Sequence, residues 1–297
     1  MNFADRMQAA VARCGNAALV GLDPHADSLP DEFGAVRAPG ATRAERAKAC
    51  ADFLCQVIEL AAGQVPAVKP QSAFFELYGA DGALAWERVV ASARSAGLLV
   101  IGDVKRGDID TSAKAYARAF LDPAVAGASV CDSITVNPYL GADAVSPFVE
   151  ACRAYEAGVF VLVRTSNKHS ALFQDHGTPR LYEHVARAVD SWGSELVGSC
   201  GLSSIGAVVG ATHPAELAAL RKLLPRTPFL IPGYGAQGAG ASEIAGGFLP
   251  GGRGALVNSS RAILFAYKQA RHAGLHWKDA TRAALAEMVA ELRTLAR

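Results

Sequence analysis

Eight short apolar runs, each followed by a helical stretch, constrain the fold of this 297-residue chain more than any other feature. The runs are continuous and not alternating, which is typical of parallel strands that are covered by helices. Alanine-rich amphipathic segments separate them, for example residues 43–62 and 83–96. The predicted strands cover residues 17–23, 65–69, 98–104, 133–136, 158–164, 205–210, 228–232 and 254–258.

This alternation predicts a (β/α)8 TIM barrel, with a doubly wound sheet as the structural alternative. The sequence shows no linker, low-complexity tract or repeat, so we expect a single domain over residues 1–297. The connections after strands 1 and 5 are long, at about residues 24–40 and 167–179. The tail after about residue 266 predicts a helix pair on the outside or the bottom of the barrel.

Charge and composition argue against several classes of partner. The chain has 29 basic and 28 acidic residues, so nothing favours nucleic acid or an anionic membrane. It has no apolar run of about 18 residues, and its first residues lack the apolar core of a signal peptide. The six cysteines follow no common zinc spacing and are expected to be reduced thiols. We therefore expect a cytoplasmic protein.

Polar or charged side chains follow nearly every predicted strand. Because the carboxyl ends of the strands form the active-site face of a barrel, we expect these groups to share one pocket. They are Asp23, Lys69, Asp103 with Lys105, Asn137, Thr165 with Ser166, Thr212, Gln237, and Asn258 with Ser259 and Arg261.

The charged members of this set alternate in sign: Lys69, Asp103, Lys105 and Asp108. Asp103 and Lys105 are two residues apart on an extended strand, so their side chains point to the same side. Charges that compensate one another can be held at fixed positions in a pocket. We therefore predict that Lys105 stays protonated and performs the proton chemistry, with an ordinary salt-bridge network at the barrel rim as the alternative.

A glycine-rich segment that begins at Gly233 follows the seventh strand. Its spacing matches the dinucleotide fingerprint, but about 20 residues on stands Arg253 in place of an acidic residue. In a barrel, the loops after strands 7 and 8 commonly bind phosphate. We predict a phosphomonoester site formed by the backbone of the glycine segment from Gly233 and by Arg261, the last at the start of a helix. Glycines that serve only to make turns are the alternative.

The stretch from Asp103 to Ile109 resembles the Asp-x-Lys-x-x-Asp-Ile signature of the orotidine 5′-phosphate decarboxylase family. Seven further segments, in the same order, resemble successive strand ends of that family, and in particular of its longer bacterial branch. They are Gly21-Leu-Asp23-Pro, Lys69-Pro-Gln-Ser-Ala-Phe-Phe-Glu76, Thr135-Val-Asn-Pro-Tyr139, Arg164-Thr-Ser-Asn167, Gly210-Ala-Thr212, Pro232-Gly-Tyr-Gly-Ala-Gln237 and Val257-Asn-Ser-Ser-Arg261.

The resemblance implies decarboxylation of orotidine 5′-phosphate to uridine 5′-phosphate, the last step of de novo pyrimidine nucleotide synthesis, without a metal or another cofactor. Lys105 would protonate C6 of the pyrimidine, and Asp103 would lie beside the departing carboxylate. Lys69 would join the ribose to the charge row. Asp108 would cross into the neighbouring subunit's site, which implies a homodimer with shared active sites.

The same resemblance assigns the rest of the substrate. Asp23 would contact the ribose, Ser166 the pyrimidine, and Gln237 and Arg261 the phosphate. Asn137, at the end of strand 4, is counted with the substrate-binding residues.

The chain departs from the family pattern at two places. Asp110 stands where compact members have proline. Lys168 and His169 stand where proline and glycine are expected, so the closure of the loop after strand 5 stays open.

Three rival functions remain on the sequence alone. A metal-dependent decarboxylase or aldolase of the same superfamily would need an acidic ligand where this chain has Lys69. A Schiff-base aldolase would use Lys69 or Lys105. The third rival is a non-catalytic barrel that binds a phosphometabolite.

Overall fold

The computed structural model describes residues 1–235 and 240–296. Its eight parallel strands close into a barrel in chain order, and β8 pairs with β1. This closure confirms the predicted (β/α)8 barrel and excludes the doubly wound sheet. The strands are β1 Ala18–Leu22, β2 Ala67–Pro70, β3 Leu99–Arg106, β4 Ser133–Val136, β5 Gly158–Arg164, β6 Ile205–Val209, β7 Phe229–Pro232 and β8 Ala255–Ser259.

The helices of the described chain surround the barrel and fill its connections. The α-helices are α1 Phe3–Cys14, α2 Arg43–Ala61, α3 Ala73–Glu76, α4 Gly79–Ser95, α5 Asp110–Leu121, α6 Pro123–Ala126, α7 Ala142–Tyr155, α8 Ala171–Gln174, α9 Leu181–Gly193, α10 Pro214–Leu223, α11 Ala241–Ile244, α12 Arg261–Leu264 and α13 Trp277–Arg293. The 3-10 helices span Ala26–Ser28, Asp31–Val36, Gly127–Ser129, Ser194–Leu196, Ala245–Gly247, Ala266–Lys268, Ala270–His272 and Thr294–Ala296. None of the helices described here is long and apolar enough to cross a membrane.

Each observed strand overlaps the predicted one and differs by no more than two residues at either end. The largest differences are at the start of β2 and at the end of β3, which continues to Arg106 and so includes Lys105. The two long connections also occur as predicted. The first contains two 3-10 helices, and the second, after β5, contains the one-turn helix α8.

The prediction of a helix pair in the tail is wrong. The tail consists of two 3-10 turns followed by one long helix, α13. Gly274 has a φ of +81°, a left-handed conformation that ends helical geometry before α13 begins. α13 packs on the outside of the barrel, where Trp277 lies 5.2 Å from the Phe53 ring of α2.

The core has two layers. One lies between the barrel and the surrounding helices, and the other fills the barrel interior with side chains from alternate strand positions, such as Leu19, Ile101 and Phe160. α1 closes the amino-terminal end of the barrel: its Phe3 is buried against Phe160, with ring centroids 5.9 Å apart. The opposite end, at the carboxyl termini of the strands, is therefore left for the polar residues.

Candidate active site

A cavity of about 940 Å³ opens at the carboxyl ends of the strands. Seven side chains from the predicted strand-end set line it: Lys69, Asp103, Lys105, Asn137, Thr165, Ser166 and Asn258. They lie in or directly after five strands, β2 to β5 and β8, whose carboxyl ends the barrel closure brings together. The predicted convergence of these strand-end residues is therefore observed for this part of the set.

Asp103 is the centre of a hydrogen-bonded charge network. Lys69 Nζ donates to Asp103 Oδ2 at 2.5 Å, and Lys105 Nζ donates to Asp103 Oδ1 at 2.6 Å. The carboxylate and Lys69 are buried, with 6% and 5% of their surface exposed, while the Lys105 side chain is 47% exposed. The Lys69 ammonium group is thus buried in the barrel wall, and the Lys105 ammonium group faces the cavity.

Burial and charge act on these groups in opposite directions. Burial alone would raise the pKa of Asp103, but Lys69 and Lys105 outweigh it and hold that pKa well below its usual value. Burial would lower the pKa of Lys69, but the carboxylates of Asp103 and Asp23 raise it instead. Both groups therefore stay charged over the range of physiological pH.

The backbone around Lys105 is strained. Lys105 has a φ of +42°, and the pairing of β3 with β4 is irregular between Gly102 and Arg106. Such a conformation costs about 1–3 kcal/mol and persists only where surrounding contacts impose it. Here the Lys105 amide donates to Thr135 Oγ1 at 2.9 Å, and the same hydroxyl donates to Asp103 Oδ1 at 2.9 Å. Thr135 thus fixes both the backbone and the counterion of Lys105.

Two residues that hold Asp103 were not predicted as site residues. Thr135 lies inside β4, and Gln71 follows β2, where its Nε2 donates to Asp103 Oδ2 at 3.1 Å. A signal for Gln71 was present, because it stands two residues after Lys69 and so on the same side of an extended chain. Thr135 resembles any β-branched strand residue, so sequence alone gave it no distinction.

Asp108 lies apart from the network in the described chain. Its Oδ1 accepts from the Ile109 amide at 2.8 Å, and it is not among the residues that line the cavity. The alternating row of four charges is therefore a network of three within one chain. Gly107 permits the tight path that follows β3, because a Cβ there would lie 2.9 Å from the Asn137 carbonyl oxygen.

Asp23, directly after β1, and Asn258, in the neighbouring strand β8, each present a buried acceptor atom. Asp23 Oδ1 and Asn258 Oδ1 have no hydrogen-bond donor among the described residues. Such acceptors are suited to ligand hydroxyl groups, because an unmatched buried acceptor is costly. Gly21 allows the two strand ends to approach, since a Cβ at this position would lie 1.8 Å from Ser260 Oγ.

The groups predicted to bind phosphate lie beyond β7 and β8. Arg261 is the exposed first residue of α12 and lines a second concavity of about 670 Å³ together with Gly235, Lys268 and Arg271. Gly233 has a φ of +98° immediately after β7. The predicted contact through Gln237 falls outside the described residues. Basic side chains therefore surround a concavity next to the end of the barrel where the charge network lies.

The fold and the cavity define a TIM-barrel protein with a charged pocket at the carboxyl ends of its strands, the face that barrel enzymes use for catalysis. Comparison with known proteins is more specific. Residues 19–274 match the model of the "Orotidine 5'-phosphate decarboxylase / HUMPS family". The chain belongs to this family.

Curated relatives and solved structures agree with the family assignment. The chain is 41% identical to orotidine 5′-phosphate decarboxylase of Rhodopirellula baltica, over 99% of each chain. It is 45% identical to the Deinococcus radiodurans enzyme of the same name, over 77% of this chain and 84% of that one. The structure of Leishmania donovani OMP decarboxylase superposes with a TM-score of 0.76 at 32% identity, covering 100% of this chain and 99% of that chain.

Proposed function

We propose that this protein decarboxylates orotidine 5′-phosphate to uridine 5′-phosphate, the last step of de novo pyrimidine nucleotide synthesis. The observation that carries the proposal is the Lys69–Asp103–Lys105 network in the cavity of a barrel of this family. The names of the curated relatives, which match over most of their length, support the same reaction.

The reaction requires stabilisation of a carbanion at C6, which a positive charge at a fixed position can provide. Breaking the bond between C6 and the carboxylate releases CO2 and leaves the electron pair in an sp² orbital at C6, outside the ring π system. A cation held near C6 stabilises that pair before the proton arrives. Lys105 supplies such a cation, because Asp103 and Thr135 fix its position at the cavity wall.

Lys105 then transfers a proton from its ammonium group to C6, which completes uridine 5′-phosphate and leaves a neutral amine. The amine takes up a proton from solvent through its exposed face. Asp103, which stays ionised, lies beside the substrate carboxylate. Repulsion between the two negative charges destabilises the bound substrate, and this repulsion ends when CO2 leaves. In this proposal Lys69 keeps Asp103 in place and contacts the ribose.

The rest of the substrate is assigned by location. Asp23 accepts hydrogen bonds from the ribose, and Ser166 and Asn137, which line the cavity, face the nucleoside. Gly233, Gln237 and Arg261 hold the phosphate at the β7–β8 end. Phosphate binding far from C6 serves to place the pyrimidine against the charge network.

We also propose that the active unit is a homodimer in which Asp108 serves the partner's site. Its separation from the network within one chain supports this arrangement. Large apolar side chains are exposed close to it in sequence and beyond β4, namely Ile109, Tyr139 and Leu140, and a subunit interface would cover them. The cytoplasmic location expected from the sequence stays a prediction.

The proposal is tested by following the loss of orotidine 5′-phosphate absorbance. We expect wild-type turnover with and without a chelator, and a fall in kcat of about 10³-fold or more in Lys105→Ala, because this change removes both the cation and the proton donor. Lys48→Ala, which removes an exposed lysine of α2 outside the cavity, is the control and should keep wild-type turnover.

Other outcomes would favour the rival functions. Near wild-type turnover by a folded Lys105→Ala variant would contradict the assignment of Lys105. Activity that a chelator abolishes would favour the metal-dependent rival, and a borohydride-trapped adduct on Lys69 or Lys105 would favour the Schiff-base aldolase. Binding of the substrate with no turnover would favour the non-catalytic barrel.

A further inference from the structure

A buried arginine joins the loop after β5 to a neighbouring helix. Arg164, the last residue of β5, has a side chain only 3% exposed. Its Nε donates to Glu216 Oε2 at 2.6 Å, in the first turn of α10, and its Nη1 lies 3.1 Å from Asp175 Oδ1, just after α8. The guanidinium group of Arg164, where the loop begins, thus contacts Asp175 later in the same loop. Glu216 of α10 contacts the same guanidinium group.

The same cluster reaches the residues on either side of Ser166. Gln174 Oε1 accepts from the Thr165 amide at 3.0 Å, and Gln174 Nε2 donates to Thr165 Oγ1 at 2.7 Å. The Thr165 hydroxyl donates in turn to Asn167 Oδ1 at 2.6 Å. Gln174 also contacts Arg164, with 3.4 Å between Gln174 Oε1 and Nη1. Hydrogen bonds therefore fix the residues before and after Ser166, and they lead back to Arg164.

Close packing fixes Ser166 from behind. A Cβ at Gly210 would lie 2.9 Å from Ser166 Cβ, so the backbone that follows β6 presses directly against this serine. Ser166 lines the cavity, whereas Glu216 and Asp175 do not. Glu216 can therefore influence a ligand only through the residues it holds, which are the buried Arg164 and, at 3.4 Å, the exposed Arg180.

We infer that Glu216 is a positioning residue, which acts through Arg164 to hold the stretch from Thr165 to Asn167 so that Ser166 faces the substrate. The inference rests on the proposed function, in which Ser166 contacts the pyrimidine. A buried ion pair is weak evidence for stability, because desolvation offsets much of its attraction. Its value here lies in geometry, since two carboxylates on one guanidinium fix the loop relative to α10.

The inference predicts coupling between Glu216 and Ser166. Glu216→Gln keeps the size of the side chain but removes its charge, and we expect kcat/KM for orotidine 5′-phosphate to fall about tenfold. In a Ser166→Ala background the same substitution should have little further effect, because the group that it positions is gone. Glu195→Gln, which breaks an exposed ion pair with Arg153, is the matched control and should leave kcat/KM unchanged.

Hydrogen exchange of the substrate-free protein provides a second readout that does not depend on the reaction. Glu216→Gln should speed exchange in peptides that cover residues 165–174, where the Thr165 amide is bonded to Gln174, and leave peptides from α7 unchanged. If Glu216→Gln does not fold, Asp175→Asn removes the other carboxylate from Arg164 and should give the same two results.

Additive effects in the double-mutant cycle, or unchanged exchange over residues 165–174, would overturn the inference. Failure of the proposed function has a different signature. In that case the wild-type protein does not turn over orotidine 5′-phosphate at all, and the exchange experiment still decides whether Glu216 holds the loop.

Discussion

At the residue scale, one carboxylate organises the candidate active site. Asp103 accepts from four donors: Lys69 and Gln71 on Oδ2, and Lys105 and Thr135 on Oδ1. A buried carboxylate that accepts so many hydrogen bonds remains ionised and keeps one orientation. The position of the Lys105 ammonium therefore depends on Asp103 as much as on Lys105 itself.

Asp103→Asn should destabilise the fold and change its pH dependence. It leaves the buried Lys69 ammonium without its main counterion, which should cost about 3–5 kcal/mol at pH 7. Burial then lowers the pKa of Lys69 below its unfolded value of about 10.4. Between the lowered pKa in the folded variant and the pKa in the unfolded chain, Lys69 is protonated in the unfolded state and neutral in the folded state. The free energy of unfolding of the variant should therefore rise with pH in this range. Urea unfolding at pH 7 and pH 9.5 measures this change.

The wild-type protein should behave differently in the same experiment. Its Asp103 pKa is lowered, so that contribution to stability is present above the unfolded pKa and is lost only as pH falls toward the lower folded value. The raised pKa of Lys69 gives a contribution that is lost only as pH rises above the unfolded value. Asp108→Asn, outside the network, is the control. Equal pH dependence of Asp103→Asn and the wild type would contradict this account.

At the element scale, the two ends of the barrel have separate roles. The carboxyl ends of the strands carry the charge network, and α1 closes the amino-terminal end with an apolar face that includes Phe3, Met7 and Val11. Phe3 packs over Gly158 at the start of β5, where a Cβ would lie 2.2 Å from the Phe3 ring. Changes at this end should therefore affect stability without altering the chemistry.

Phe3→Ala tests this separation. Removing the buried ring should lower the free energy of unfolding by about 3–5 kcal/mol, because it leaves a void over Gly158. Below the melting temperature of the variant, kcat and KM should match the wild type. Thermal unfolding and steady-state kinetics measure the two effects. Leu84→Ala, which truncates an exposed apolar side chain, should change stability by less than about 0.5 kcal/mol. A loss of activity with normal stability would contradict the separation.

At the scale of the whole molecule, the proposed dimer assigns Lys105 and Asp108 of one chain to different active sites. In a homodimer of that kind, each site combines Lys105 of one subunit with Asp108 of the other. In the proposed dimer a single chain would contribute to two different sites, although Lys105 and Asp108 are only three residues apart in sequence.

Mixing two inactive variants tests the shared sites. Lys105→Ala and Asp108→Ala should each lose most activity alone. Unfolded and refolded together in equal amounts, half of the dimers are mixed, and each mixed dimer has one intact site of two. The mixture should regain about a quarter of wild-type activity. No recovery, with mixed dimers demonstrated by differently tagged chains, would show that Asp108 serves its own chain.

Local sequence pattern was sufficient for the strands and for most of the polar residues at their ends. Continuous apolar runs identify buried parallel strands, because the hydrophobic pattern of a strand is contained in a few consecutive residues. Boundaries were less certain, as at β3, where the charged Lys105 and Arg106 still belong to the strand. The tail was mispredicted because its helical composition did not reveal the 3-10 turns or the left-handed conformation of Gly274 that precede α13.

By itself, the sequence determined which chemical groups this protein places at its strand ends, and their resemblance indicated the family. The tertiary structure decided which of those groups meet. Thr135 joins Asp103 and the Lys105 backbone across 32 and 30 residues of chain, whereas Asp108 stays apart from Asp103 despite being close in sequence. The reason is physical: barrel closure and strand register set distances between remote residues, and no local pattern encodes them.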